Sequence, residues 1–84
     1  MKTTKQTIEH LKNRFCELER LITYHITREQ LEKESHCWKN AKFHSELAND
    51  YNAEQREIIR IYAFIIEVDF IDACHELYQL YSEN

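Results

Sequence analysis

Glycine and proline are both missing from this 84-residue sequence. At ordinary usage a chain of this length contains about six glycines and about four prolines. Glycine supplies the positive backbone angles of tight turns and proline interrupts helices, so their joint absence removes the usual signals of sheets and loops. Glycine-rich phosphate loops are excluded for the same reason. The sequence therefore predicts an all-α protein that is helical over most of its length.

Signals for export or membrane insertion are also missing. The start of the chain is rich in Lys and Thr and has no apolar segment of the kind that signal peptides contain. The most apolar stretch, residues 58–73, includes four charged side chains and is too short to span a bilayer. Three cysteines without a C-x-x-C motif are typical of reduced thiols. We therefore expect a single cytoplasmic domain over residues 1–84, with no membrane contact.

Positive charge is scarce in the second half of the chain. The net charge is −4, but residues 1–45 contain nine Lys or Arg against six Asp or Glu (+3), and residues 46–84 contain two against nine (−7). Nucleic acids are bound through a concentrated basic surface, so this distribution disfavours a nucleic-acid partner. The alternative is a nucleic-acid-associated regulator that uses the mildly basic N-terminal half, with Lys2, Lys5, Lys12, Arg14 and Arg20 as its contacts.

Capping residues and apolar periodicity predict a three-helix antiparallel bundle. The first helix spans residues 4–25, because its apolar residues alternate three and four apart, as in a heptad seam. The second spans residues 28–49 and the third residues 53–82, with capping-box spacing at Thr27–Gln30 and at Asn52–Gln55. Residues 49–52 are predicted to form the turn between them. One kinked helix in place of the first two is the alternative.

The second predicted helix is the least amphipathic of the three. Its best stripe is Cys37, Ala41, His44, Ala48 and Tyr51. Small side chains in such a stripe allow a neighbouring helix to approach closely, so we expect this face to pack on another helix of the bundle.

The third predicted helix has more apolar surface than a small bundle can bury. At 100° per residue, one broad face is the expected core face; it collects Ile59, Tyr62, Ala63, Ile66, Phe70, Ala73, Leu77, Leu80 and Tyr81. The opposite side of the helix is also apolar, and a helix that is apolar all round is normally buried on all sides. We call this second set the ridge: Ile61, Phe64, Val68 and Ile71, with Ile65 at its border.

The ridge is the candidate functional site. A contiguous apolar patch on a small protein marks an interaction surface, unless the first two helices wrap around both sides of the third. Asp72 lies beside the ridge and His75 on its continuation. We expect a non-enzymatic protein-interaction module, a regulator, adaptor or inhibitor, that binds itself, another protein or both. A homodimer is the favoured form, because a domain of this size gains much by doubling its core.

Motifs for catalysis or cofactor binding are not found in the sequence. No nucleophile elbow, phosphate loop or paired carboxylates can be identified, so we expect neither an enzyme nor a cofactor. A metal-binding helical assembly is the second alternative, because His25, Glu29, Glu32 and His36 would share a face on one continuous helix. A solvated face with His–Glu pairs is the simpler interpretation of that spacing, and no metal ligand is assigned.

Overall fold

The computed structural model describes residues 4–83, which form three α-helices and no strand. Helix α1 spans Thr4–Glu34, α2 spans Trp38–Ile66 and α3 spans Phe70–Ser82. The predicted all-α, three-helix fold is confirmed. Within the described residues, no helix is both long enough and apolar enough to span a membrane.

The first two helices form a long antiparallel hairpin. The predicted seam of α1 faces α2, with Leu11, Phe15 and Leu18 buried. The facing seam of α2 has a buried residue at every seventh position, which is the period of helices that pack along their whole length; these residues are Ala41, Ala48, Gln55 and Tyr62. The small-residue stripe predicted for this part of the chain is therefore in contact with α1.

The predicted break at residues 25–28 is wrong, because α1 continues to Glu34. Thr27 does not cap a new helix; its hydroxyl donates to the backbone carbonyl of Thr23, 2.9 Å away, inside the same helix. The seam also continues, since Glu29 and Glu32 follow His25 in phase and are largely covered. Ion pairs with Lys33 and Arg28 allow these carboxylates to occupy seam positions.

The predicted turn at residues 49–52 is also wrong, because α2 runs through it without interruption. Asn and Asp tolerate turns, but they end a helix only where packing does not continue. Here Ala48 and Gln55 are both buried against α1, so the intervening residues stay helical. The amide of Gln55 donates to the carboxylate of Glu19 at 2.7 Å, which satisfies the one buried glutamine of the described chain.

The predicted helix 53–82 is divided at residues 67–69. Its first part belongs to α2 and its second part is α3. The C-terminal ends of α1 and α2 each close with a backbone hydrogen bond between residues five apart. The N–H of Cys37 donates to the carbonyl of Glu32 at 2.8 Å, and the N–H of Val68 donates to the carbonyl of Ala63 at 3.1 Å. This closure requires a left-handed residue, the usual place for glycine. The chain places His36 (φ 61°) and Glu67 (φ 60°) there instead.

Glycine at position 67 is expected to stabilise the protein. Glu67→Gly removes the steric cost of a side chain at positive φ, and we expect a gain of about 0.5–1 kcal/mol in the free energy of unfolding by urea titration. Glu46→Gly, an exposed position within α2, is the matched control and should lose about 1 kcal/mol. Equal losses at the two positions would contradict the left-handed assignment.

Helix α3 folds back onto one end of the hairpin. The core cluster contains residues from all three helices: Leu11, Phe15, Cys16, Leu18, Ile58, Ile59, Tyr62, Ala63, Ala73 and Leu77. Two tyrosines join α3 to the hairpin. The Tyr62 hydroxyl donates to Glu76 at 2.9 Å, and burial together with this carboxylate raises the pKa of Tyr62 to about 12. Burial and the nearby Glu19 carboxylate raise the pKa of Tyr78 to about 12 as well.

The other end of the hairpin consists of α1 and α2 alone. We call it the arm, residues 22–51. Its buried residues, Ile22, His25, Ala41 and Ala48, lie outside the core cluster. The described chain is accordingly elongated, with extents of 47 × 26 × 21 Å.

Candidate partner-binding surface

A group of exposed apolar side chains lies where α2 ends and α3 begins. Phe64 is 86% exposed, the highest value for a large apolar side chain in the described residues, and Ile71 is 65% exposed. We call the group the corner surface; its members are Ile61, Phe64, Val68, Phe70 and Ile71. Single exposed apolar residues are ordinary, but five within eleven positions are typical of an interaction site.

The turn between α2 and α3 determines where these side chains lie. Ile61 and Phe64 are one helical turn apart on the side of α2 that faces away from the buried Tyr62. The left-handed Glu67 then ends α2, and Asp69 begins α3 by accepting a hydrogen bond from the backbone N–H of Asp72 at 2.8 Å. An aspartate is a strong N-cap. Asp69 is therefore the capping residue of α3.

An open groove of about 680 Å³ lies beside Phe64. Thr4 and Thr7, at the start of α1, line one part of it. The end of α2 and the following turn line the rest, through Ala63, Phe64, Ile65, Glu67 and Val68. The groove therefore combines an exposed apolar side chain with a recess next to it, which a protruding side chain of a partner could fill.

The residues predicted for the ridge do not lie on one straight helix. Ile61 and Phe64 belong to α2, Val68 to the turn and Ile71 to α3, and all four are exposed. Ile65 is different, because it is half-buried and packs against the core cluster. Asp72 and His75 are exposed on α3.

Phe70 is the member of the corner surface that sequence reasoning missed. A straight helix places it on the core face, but the break at residues 67–69 leaves it 41% exposed. The spacing Asp69-Phe-Ile-Asp72 is the signal that could have located this break, because a capping aspartate precedes a new first turn.

The charges around the corner surface are acidic. Glu67 lines the groove, and Asp69 and Asp72 flank Ile71 in the turn and the first turn of α3. Among the ion pairs of residues 4–83, none includes these three carboxylates. The nearest Arg in sequence, Arg60, pairs with Glu57 at 3.2 Å. The corner is therefore an apolar surface bordered by carboxylates that form no ion pair among the described residues.

Arg14, one of the cations considered for nucleic-acid contact, is held by two carboxylates. Arg14 forms ion pairs with Glu17 and with Glu54, the latter through two hydrogen bonds of 2.7 and 3.0 Å. The bonds to Glu54 raise the pKa of Arg14, and the same bonds lower the pKa of Glu54. A guanidinium held in this way is less available for phosphate, which weakens the nucleic-acid alternative.

The four residues considered for a metal site are divided by the fold. His36 lies in the turn between α1 and α2, and the other three share α1. These three have partners: His25 contacts His44, Glu29 pairs with Lys33, and Glu32 pairs with Arg28. Across residues 4–83, no group of three or more His, Cys, Asp or Glu side chains is arranged to hold a metal ion.

A pair of histidines lies inside the arm. His25 is 8% exposed, and its Nδ1 lies 2.8 Å from Nδ1 of His44. One nitrogen must donate and the other accept, so at least one of the two rings is neutral. Tyr24 and Tyr51 cover the pair, with ring centroids 5.0 and 5.8 Å from His25. Burial, with a smaller contribution from His44, lowers the pKa of His25 below its usual 6.5.

The histidine pair predicts a loss of stability in mild acid. Because the folded pKa of His25 is lowered, the unfolded chain binds more protons than the folded chain. The contribution of His25 to the free energy of unfolding is therefore complete above pH 6.5 and is lost as the pH falls through the folded pKa of His25. Thermal unfolding between about pH 7.5 and 5 measures this loss.

Two variants separate the histidine pair from general acid effects. His25→Leu places an apolar residue at the same seam position and is expected to flatten the pH dependence in this range. His75→Leu changes an exposed histidine of α3 and should leave the dependence unchanged. Glu29, one turn further along the seam, is paired with Lys33, and neither variant changes these two residues. An unchanged slope in His25→Leu would contradict the assignment.

Comparisons with protein-family models, with curated proteins and with solved structures found no match to this chain. The proposals that follow therefore depend on the geometry and charge of the described residues alone.

Proposed function

We propose that this chain is a small, non-enzymatic protein-interaction module that binds through the corner surface. The observation that supports the proposal is the exposure of Phe64 and Ile71 on either side of a tight turn. Leaving large apolar side chains in water costs free energy, about 1.5–3 kcal/mol for each one that could otherwise be buried. A partner that covers the corner recovers that free energy, which makes the surface a source of affinity.

Two occupants are compatible with this function, a second copy of the chain and a different protein. A homodimer is favoured by size, because a domain of 84 residues buries only about 60% of its unfolded surface and gains by doubling its core. A different partner makes the chain a regulator, adaptor or inhibitor that acts by covering another protein's surface. Of the contacts considered for the nucleic-acid alternative, Arg14 is ion-paired, and no group of three metal ligands is present among the described residues.

The double variant Phe64→Glu with Val68→Glu tests the function. Both side chains are exposed, so we expect unchanged helicity in circular dichroism and a change of no more than about 0.5 kcal/mol in the free energy of unfolding. Light scattering should show a doubled mass for the unchanged chain and a single mass for the variant if a second copy is the occupant. Binding to any other partner should be lost in the same variant.

Phe43→Glu is the matched control, because Phe43 is 58% exposed on the arm and lies far from the corner in sequence. It adds a charge to an exposed phenylalanine but should leave association unchanged. Two results would contradict the proposal: a corner variant that loses its helicity, which would place these residues in the core, and an association that survives both corner substitutions.

A further inference from the structure

Given the proposed function, we infer that the occupant of the corner surface is an amphipathic helix with a Lys- and Arg-rich border, supplied by a different protein. The inference concerns the chemistry of the partner and depends on charge and shape around Phe64.

Charge is the first observation. Residues 61–84 contain five Asp or Glu and no Lys or Arg. Glu67 forms part of the groove beside Phe64, and Asp72 directly follows Ile71. Neither has a cationic partner among the described residues. An apolar surface with such a border selects partners whose apolar side chains are flanked by cations, and it repels partners with acidic borders.

The same charges oppose a homodimer through this surface. In a two-fold interface, each corner meets an identical corner, so the acidic borders of two copies come together. Like charges at close range repel each other, and the repulsion increases as water is excluded. Arg60, the nearest Arg in sequence, is already paired with Glu57.

Shape is the second observation. The groove has Thr4 and Thr7 of α1 on one side and the apolar end of α2 on the other. Phe64 and Val68 contribute apolar surface to its lining. A helix that lies in a groove is held by side chains at i, i+3, i+4 and i+7, with polar residues at its borders. An amphipathic helix with basic borders would therefore fill the recess with its apolar side chains and pair its cations with the carboxylates.

Fluorescence anisotropy with two labelled synthetic peptides tests the inference. Both peptides are amphipathic helices with leucine on one face; one has lysine on the polar face and the other has glutamate. We expect the full chain to bind the lysine peptide at least about tenfold more tightly than the glutamate peptide, with an affinity that falls as salt is added.

Three further variants locate the binding site. Phe64→Gln with Ile71→Gln removes apolar surface without changing the charge, and should weaken binding of the lysine peptide at least about tenfold. Glu67→Gln with Asp72→Asn keeps the apolar surface, and should weaken binding about threefold to tenfold while reducing its salt dependence. Phe43→Gln, on the arm, should change the affinity less than about twofold.

The outcomes separate this inference from the proposed function. Equal binding of the two peptides, or an equal loss in Phe43→Gln and in the corner variant, overturns the inference about the partner. A chain that ignores both peptides but forms a dimer that Phe64→Glu with Val68→Glu disrupts also overturns it, while supporting an interaction module. Unfolding of the corner variants overturns the proposed function itself.

Discussion

Replacing Phe15 with alanine is expected to lower the free energy of unfolding by about 3–5 kcal/mol. Phe15 is fully buried in the core cluster, and its ring meets that of Tyr78 edge-on with centroids 5.0 Å apart. The substitution removes this aromatic contact and leaves a cavity where α1 meets α3. A domain of 84 residues is stable by only about 4–13 kcal/mol, so this single change removes a large part of the total.

Phe43→Ala provides the comparison for this effect. It removes the same ring from a side chain that is 58% exposed, and it should cost less than about 1 kcal/mol. Urea unfolding followed by circular dichroism measures both variants under one condition. Similar losses for the two phenylalanines would mean that the arm is packed as tightly as the three-helix end, contrary to the described burial.

Replacing Leu77 with alanine is expected to cost about 2–5 kcal/mol and to release α3 from the hairpin. Leu77 and Ala73 are the two fully buried residues of α3, and Leu77 is the larger of them. Helix α3 has 13 residues, and isolated helices of that length are marginal in water. Its helicity therefore depends on docking against α2.

Hydrogen exchange distinguishes release of α3 from general destabilisation. In Leu77→Ala, the amides of residues 73–82 should lose protection before those of α1 and α2. Leu31→Ala, at a position that is 46% exposed on α1, is the matched control and should leave exchange in α3 unchanged. Simultaneous loss of protection in all three helices would show that the hairpin does not persist without α3.

The number and type of elements could be predicted from the sequence, but the helix ends could not. Periodicity identified the seam of α1 and the small-residue stripe of α2, because a buried face leaves a repeating apolar pattern. The predicted breaks relied on capping residues such as Thr27 and Asn52, which are also found inside helices when packing continues. The real breaks occur at His36 and Glu67, where a left-handed residue has none of the usual glycine signal.

The corner surface could be predicted only in part, because the positions of the helix ends could not be predicted. Ile61 and Phe64 are exposed where the 100° step places them, because that step holds within one helix. Beyond Glu67 the 100° step of α2 no longer applies, because α3 is a separate helix. Phe70 is therefore exposed, and the corner surface includes residues of both helices. The histidine pair was not predicted, since contact between His25 and His44 depends on the register of two helices.

The connectivity of the fold has a consequence for how the chain reaches its native state. The main packing is between helices that are neighbours in sequence, α1 with α2 and α2 with α3, so short turns bring each pair together. Local contacts of this kind favour folding in microseconds to milliseconds. A chain without proline also has no prolyl bond to isomerise, which is the common source of refolding phases that last tens of seconds. Refolding should therefore be fast and complete in a single phase.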